Sequence, residues 1–412
     1  GAKGWEAAQP HLSSIDETII ALAHNGTLVN FDNLRKELTT RNISFRSDTD
    51  SEVAAQLIGY FTQKTHRLRS GIAATMHLIE GGYAMVLVRE NALYAFRDPH
   101  GIRPLVLGRL GSPEDNSWVV ASETCALDIV GATYIREVEP GEIIKISDDG
   151  LRSERGLTHR DPAACIFEDV YFSRPDSVVD GRSIYWVRHT MGRQLARETS
   201  IDADLVIGVP DSGVPAAEGF AAELGIPFGT GLIKNRYVAR TFIQPTQDLR
   251  RLGVRLKLNA LADVVRGKRL VMVDDSVVRG TTSKQIVRML RDAGACEVHV
   301  RSASPKVMWP CFYGIDTADQ DQLIAAYKTT EEICEYIEAD SLGFLSLEGL
   351  LDCVPKRGYC AACFNGHYPV EIPDDFHERF VSGMCPHALN CSHALTFTQV
   401  ETQLAQKGPQ DV

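Results

Sequence analysis

The chain has 412 residues, 44% hydrophobic and 24% charged, and its 43 Lys and Arg against 54 Asp and Glu leave a net charge of −11. That length suits two or three globular domains, and the composition excludes a disordered, collagen-like or coiled-coil chain. The acidic balance argues against nonspecific nucleic-acid binding, which needs a basic face, and no apolar run approaches the ~18 residues of a membrane span.

The opening Gly1-Ala-Lys-Gly-Trp-Glu6 carries no signal-peptide apolar stretch and no initiator Met, so a processed chain or part of a longer one is expected. The first 160 residues read as β-rich. Strands are predicted at Thr18–Ala23, Ala84–Arg89, Leu93–Phe96, Ser117–Ala121 and Glu142–Ile146. Turns are expected at Gly81-Gly82, at Gly141 and at Asp149-Gly150. Val53, Leu57, Ile58 and Phe61 have helical spacing and predict a helix over 50–62. The polar stretch Leu151–Pro162 reads as a linker.

From Cys165 onward, strands alternate with helices. Strands are predicted at Asp204–Val209, Arg269–Val273 and Glu297–Arg301, with helices at Ala216–Leu224 and Ser283–Ala293. This βαβ rhythm indicates a parallel sheet with helices on both faces. The end of the chain reads as a polar, irregular tail.

The richest segment is Arg269-Leu-Val-Met-Val-Asp-Asp-Ser-Val-Val-Arg-Gly-Thr-Thr-Ser283. A buried strand runs into Asp274-Asp275, then a short loop with Gly280, Thr281 and Thr282 opens a helix. Free N–H groups at that helix start, with the hydroxyls, make an anion site. Two carboxylates beside it suit sugar hydroxyls or Mg²⁺. Together these features suit a phosphorylated ribose. An Asp-Asp turn capping an ordinary helix is the plainer alternative. There is no Walker A string and no Gly-x-Gly-x-x-Gly after a strand.

The segment resembles the ribose-phosphate loop of type I phosphoribosyltransferases. Lys234-Asn-Arg-Tyr-Val-Ala-Arg-Thr-Phe-Ile-Gln-Pro245 and Tyr171-Phe-Ser-Arg-Pro-Asp-Ser177 narrow the resemblance to amidophosphoribosyltransferases, over about Ala21 to Pro369. The resemblance implies an incomplete N-terminal-nucleophile glutaminase domain (αββα) over 1–160. It implies a phosphoribosyltransferase domain with a parallel sheet over 161–371, and a tail over 372–412. It implies synthesis of 5-phosphoribosylamine from phosphoribosyl pyrophosphate and glutamine or ammonia, the first step of purine synthesis.

By that resemblance Asp274 and Asp275 hold the ribose hydroxyls and, with Ser212 of the Val209-Pro-Asp-Ser-Gly213 pyrophosphate loop, Mg²⁺. Ser276, Arg279, Gly280, Thr281 and Thr282 cradle the 5′-phosphate. Lys234, Arg236 and Arg240 lie on a loop that closes over substrate, where Ala239 replaces a usual Gly; a solvated basic turn is the alternative. Asn25 and Gly26 supply an oxyanion hole and Asp50 holds the glutamine α-amine; an Asn-Gly hairpin turn and a helix cap are the alternatives. The nucleophilic N-terminal Cys is missing, which implies use of ammonia alone.

Ten cysteines are too few for a disulfide scaffold, which makes them thiols or metal ligands. Cys360-Ala-Ala-Cys363 alone reads as a redox motif, half a zinc site or neither. The family resemblance adds Cys165 and Cys311 and implies a structural 4Fe–4S cluster on these four. Cys385, His387, Cys391 and His393 read as solvated tail residues, with zinc the alternative. Cys125, Cys296, Cys334 and Cys353 read as packing thiols. The family further implies AMP or GMP feedback, a homotetramer and a cytoplasmic location. A DNA-binding metabolite sensor and a purine-base salvage transferase are the competing readings. The first lacks a basic winged helix, and the second does not account for the glutaminase-like half.

Overall fold

The computed structural model describes residues 4–15, 18–112, 117–158, 160–235, 258–317, 319–373 and 395–407. The N-terminal half starts with β1 (His11–Ile15), β2 (Thr18–Leu28), α1 (Phe31–Thr40), α2 (Asp50–Thr65) and α3 (Leu68–Met76). It continues with β3 (Gly81–Arg89), β4 (Ala92–Arg97), β5 (Val106–Leu110), β6 (Ser117–Ala121) and α4 (Thr124–Val130). It ends with β7 (Ala132–Glu137), β8 (Glu142–Ser147) and β9 (Gly150–Arg155). One antiparallel sheet has the order β1-β2-β3-β4-β8-β9, and a second the order β6-β5-β7.

Alternation along the strands builds the layers. Ile20, Leu22, Met85, Leu87 and Phe96 face one side and bury against Val53, Leu57, Phe61 and Ile72 of α2 and α3. Ala84, Ala95 and Ile144 face the other side, against Leu107 of the second sheet and Leu105 just before it. Leu127 of α4 closes the far side over Val106 and Ala132. The order is α-β-β-α, as expected.

Two local expectations are corrected: Gly81-Gly82 opens β3 rather than forming a turn, and the first half of the expected linker is β9. The alternative of an Asn-Gly hairpin turn also falls, because Asn25-Gly26 lies inside β2. Gly26 has φ 138°, and a Cβ there would sit 2.0 Å from the Gly82 carbonyl oxygen. Close backbone approach, not a turn, demands the glycine.

The C-terminal half contains β10 (Ala164–Cys165), β11 (Val178–Val179), β12 (Arg182–Ser183), α5 (Ile184–Glu198), β13 (Leu205–Gly208) and α6 (Val214–Leu224). Next come β14 (Leu232–Lys234), β15 (Leu258–Ala260), α7 (Ala262–Val265), β16 (Arg269–Asp274), α8 (Thr281–Asp292) and β17 (Glu297–Ser302). Then follow α9 (Thr330–Ile337), β18 (Ser341–Phe344), α10 (Leu347–Cys353), β19 (Tyr359–Cys360), α11 (Ala362–Asn365) and α12 (Phe397–Lys407).

The order β13-β16-β17-β18 is a parallel sheet. Val206, Val271 and Val273 pack under α5 and α6 on one face. Leu205, Ile207, Leu270 and Met272 pack against Ile286, Leu290, Ile333 and Ile337 of α8 and α9 on the other. Burial on both faces explains why these strands read as continuous apolar runs.

The expected irregular tail is helical where it is described. Phe397, Val400 and Leu404 fall at i, i+3 and i+7 and pack on the core of the N-terminal half. Phe397 stacks on Phe61 (ring centroids 5.4 Å apart), and Glu401 accepts from the Tyr60 hydroxyl at 2.6 Å and pairs with Lys64. Phe397→Ala is expected to cost about 3 kcal/mol, limited by the free energy of undocking α12. Limited proteolysis would read this as faster cleavage within α12, and urea unfolding as a lower midpoint.

Candidate functional sites

Two loops converge at the carboxyl ends of the parallel strands, where open α/β sheets bind ligands. β13 and β16 are neighbours, so the loop after β13 (Val209–Gly213) lies against the loop after β16. Val209 N–H donates to the Val273 carbonyl at 2.9 Å. A Cβ on Gly213 would lie 2.7 Å from the Val273 carbonyl oxygen and 3.2 Å from the Asp274 Cα. The Ser212 hydroxyl donates to Asp275 Oδ2 across the gap, and Ser276 donates to Asp275 Oδ1 at 2.6 Å. Gly280, at φ 69°, turns the chain into α8, whose first residues Thr281 and Thr282 are exposed, as is Arg279.

Asp274 and Asp275 are both buried. Burial, then the charge of Asp275, holds Asp274 well above the usual carboxylate range. Burial raises Asp275 as well, against the Ser212 and Ser276 hydroxyls and the Arg188 charge. Two buried carboxylates with a serine hydroxyl form a hard oxygen donor set that calls for a cation, and Mg²⁺ fits it. Lys234 ends β14, pairs with Asp211 of the first loop, and stands at the base of the β14–β15 hairpin. Arg236, Ala239 and Arg240 lie outside the described residues.

A second site forms around β2. Asp50 is the first residue of α2, and Thr49 caps the helix by accepting from Glu52 N–H. Asp50 accepts from Leu28 N–H at 2.9 Å and from Ser51 N–H at 2.8 Å, which ties the end of β2 to the helix start. His24 lies behind it, its Nδ1 3.0 Å from Ser51 Oγ, and burial lowers its pKa. Asn25 Oδ1 accepts from Arg103 at 3.1 Å. Gly314 of the C-terminal half approaches Gly26 so closely that its Cβ would lie 2.9 Å from the Gly26 Cα.

The four matched cysteines come together. Parallel pairing of β10 with β19 sets Cys165 opposite Cys360. The Cys363 carbonyl accepts from Met308 N–H and Trp309 N–H, which draws the Cys311 loop in. All are free thiols, and burial pushes Cys360 up to about 12 and Cys165, Cys311 and Cys363 upward too. Each of Cys165, Cys311 and Cys360 contributes to the shift of Cys363. Among the described residues no group of three or more His, Cys, Asp or Glu converges as a single metal ion requires. Four unbridged thiols in mutual electrostatic reach, two buried and two half-buried, fit a bulkier iron–sulfur group. Cys385, His387, Cys391 and His393 lie outside the described residues. Of the other thiols Cys125 and Cys353 are buried and Cys334 half-buried, but Cys296 is exposed, so packing does not explain it.

Sequence reasoning missed the charged residues between the sites. Arg188 is the largest fully buried side chain; it donates to the carbonyls of Asp169 (2.9 Å) and Ser173 (2.7 Å) and faces Asp275 electrostatically. Glu168 and Asp169 open a π-helical turn, Glu168–Phe172. Their signal was charge inside an apolar run, Cys165-Ile-Phe-Glu-Asp-Val-Tyr-Phe172.

Both Asp169 carboxylate oxygens are buried without a hydrogen-bond partner among the described residues, and burial lifts the group to about 7. The unfolded chain releases this proton near pH 4 and the folded one near 7. Stability therefore falls as pH rises from about 4 to 7, because the unfolded state binds fewer protons over that window. Asp169→Asn is expected to stabilise the protein by roughly 2–4 kcal/mol at pH 8 and by little at pH 4. Urea denaturation at both pH values checks this; an equal effect at each would refute it.

An α-β-β-α half followed by a parallel-sheet half, the first matching a glutamine amidotransferase family and the second a phosphoribosyl transferase family, defines a two-domain amidotransferase. Residues 3–128 match the glutamine amidotransferase domain family and residues 187–303 the phosphoribosyl transferase domain family. The amidophosphoribosyltransferase of Synechocystis is 54% identical over 370 residues, 89% of this chain and 74% of its own length. That of Bacillus subtilis is 49% identical over 385 residues, 91% of this chain and 79% of its own. A solved structure of "the allosteric regulatory enzyme of purine biosynthesis" superimposes with a TM-score of 0.84 at 48% identity, covering 92% of this chain and 82% of that one. The B. subtilis glutamine phosphoribosylpyrophosphate amidotransferase complexed with ADP and GMP gives 0.83 at 48% identity, covering 91% and 83%. The chain belongs to the amidophosphoribosyltransferase family. No helix among the described residues is long and apolar enough to cross a membrane.

Proposed function

We propose that the chain transfers nitrogen to C1 of phosphoribosyl pyrophosphate, releasing pyrophosphate and forming 5-phosphoribosylamine for purine synthesis. The observation that carries this reading is the seating of the Val209–Gly213 loop on the Asp274 loop, joined by the Ser212–Asp275 hydrogen bond. One loop serves the pyrophosphate and the other the ribose and its 5′-phosphate.

Asp274 and Asp275 orient the ribose hydroxyls and, with Ser212, would hold Mg²⁺, which when bound offsets charge on the departing pyrophosphate. Backbone N–H groups from Ser276 to Thr282 and the Thr281 and Thr282 hydroxyls receive the 5′-phosphate at the start of α8. Arg279, Lys234, Arg236 and Arg240 add positive charge, and exclusion of water from the site would favour ammonia, with which water competes. The transition state at C1 is oxocarbenium-like, and no protein nucleophile is needed. Asn25 and Gly26 serve the amide oxyanion of glutamine, and Asp50 its α-amine. Cys165, Cys311, Cys360 and Cys363 would hold a 4Fe–4S cluster in a structural role, clamping β19 and α11 to β10.

The complex of the B. subtilis relative with ADP and GMP supports nucleotide binding here, and we extend it to feedback by AMP or GMP. A cytoplasmic homotetramer follows from the family resemblance alone. The test is pyrophosphate release from phosphoribosyl pyrophosphate and Mg²⁺ with ammonium as nitrogen donor. Consumption of a free purine base, or specific retardation of duplex DNA with no pyrophosphate released, would replace the reading. Anaerobically purified protein should contain iron and inorganic sulfide in equal amounts, and Cys363→Ala should lose both; wild-type protein without iron would overturn the cluster assignment.

A further inference from the structure

Arg103 lies between the two halves. It follows β4 in the N-terminal half and is buried at 5% exposure. Its guanidinium donates to Asn25 Oδ1 at 3.1 Å and pairs with Glu168 Oε1 at 3.1 Å. Glu168 belongs to the C-terminal half and is itself buried; its other oxygen accepts from Ser173 Oγ at 3.2 Å. The π-helical turn that carries Glu168 is held by Arg188, which donates to the backbone carbonyls of Asp169 and Ser173. Glu168 therefore has little freedom, and through it neither has Arg103.

A carboxamide can flip to exchange its oxygen and nitrogen, and the two orientations are chemically opposite. Guanidinium has five donors and no acceptor, so only the carbonyl oxygen of Asn25 can face Arg103. That places the Asn25 NH₂ on the other side, where its contact is a long 3.5 Å bond to Ser122 Oγ. An NH₂ group with so long a contact can still donate to a ligand, as an oxyanion donor must.

We propose that Arg103, held by Glu168 of the transferase half, is a positioning residue that fixes the Asn25 carboxamide with its NH₂ toward the glutamine site. This deepens the reading of Asn25 as an oxyanion donor and rests on it. The orientation of a glutaminase donor is thereby set from the other domain. The charge of the pair matters as much as its shape, because an uncharged partner at 168 would leave the buried guanidinium without its counterion.

The test is the side-chain NH₂ resonance of Asn25 in full-length protein labelled with ¹⁵N-asparagine, assigned by its loss in Asn25→Ser. Arg103→Met and Glu168→Gln should both move the Asn25 signal by more than a linewidth, and Arg103→Lys should restore most of it. Ammonium-dependent pyrophosphate release shows that each variant is folded; if Arg103→Met does not fold, Glu168→Gln carries the test alone. An Asn25 signal unmoved in a folded Glu168→Gln protein overturns the proposal. A separate titration with L-glutamate addresses the underlying reading. An Asn25 signal that responds to the variants but not to glutamate would sink the oxyanion role and leave the positioning by Arg103 intact.

Discussion

Asp274→Asn is expected to lower ammonium-dependent pyrophosphate release at least about 100-fold, with the thermal midpoint unchanged or raised. The two halves of that result have one cause. Asp274 sits buried beside Asp275, where its charge is disfavoured by desolvation and repulsion. Asp275 has hydroxyl donors on both oxygens, whereas the hydrogen bond to the Asp274 carboxylate comes from the Asp275 backbone N–H at 3.0 Å. Asp274 is thus the carboxylate more available to ribose or Mg²⁺. Asparagine keeps the size and removes the repulsion, so the fold gains what the reaction loses, as is common where charge is concentrated for function. The measurement is kcat/KM for phosphoribosyl pyrophosphate across a Mg²⁺ titration, beside a thermal melt. Near-wild-type activity would dismiss the metal and ribose assignment; lost activity with a collapsed melt would trace the effect to folding.

Gly192→Ala is expected to destabilise the transferase half by about 3 kcal/mol or more. A Cβ at Gly192 would meet the Ala216 carbonyl oxygen at 1.8 Å, and one at Gly219 would meet the His189 carbonyl oxygen at 1.9 Å. The helices α5 and α6 therefore touch backbone to backbone at both glycines. Neither clash can be relieved by a rotamer change, because the obstacle is main chain. Separating the helices would also move the N-terminus of α6 and the Val209–Gly213 loop before it. Guanidinium unfolding should show the loss, and activity should fall with stability at temperatures near the transition. A contrasting control is Gly225→Ala, where no atom of the described residues lies within 4 Å of the added Cβ and the φ of 68° opposes it; it should cost about 1 kcal/mol.

Much of the fold was legible because its signals are local. Short β-rich runs bounded by turn residues marked the antiparallel strands, and unbroken apolar runs marked β13 and β16, which are buried on both faces. Asp274, Asp275 and the Gly280-Thr-Thr282 turn were legible as a strand-to-helix anion loop for the same reason. The tail helix was missed because three large apolar side chains in eleven residues give a thin stripe, which becomes decisive only against Phe61 and Tyr60. Gly81-Gly82 was misread because turn propensity and close backbone approach use the same residue. The sequence shows that a glycine is present and not what comes near it.

The order of elements, the class of each half and the strand–loop–helix turn at Asp274 to Thr282 could be read from sequence, because periodicity and short contiguous motifs are properties of neighbours along the chain. Packing alone shows that Cys165 lies opposite Cys360, that Gly192 and Gly219 let two helices touch, and that Arg103 joins Asn25 to Glu168. Those pairings link residues far apart in the chain. They depend on strand register, helix crossing and desolvation, and these have values only once the core is packed.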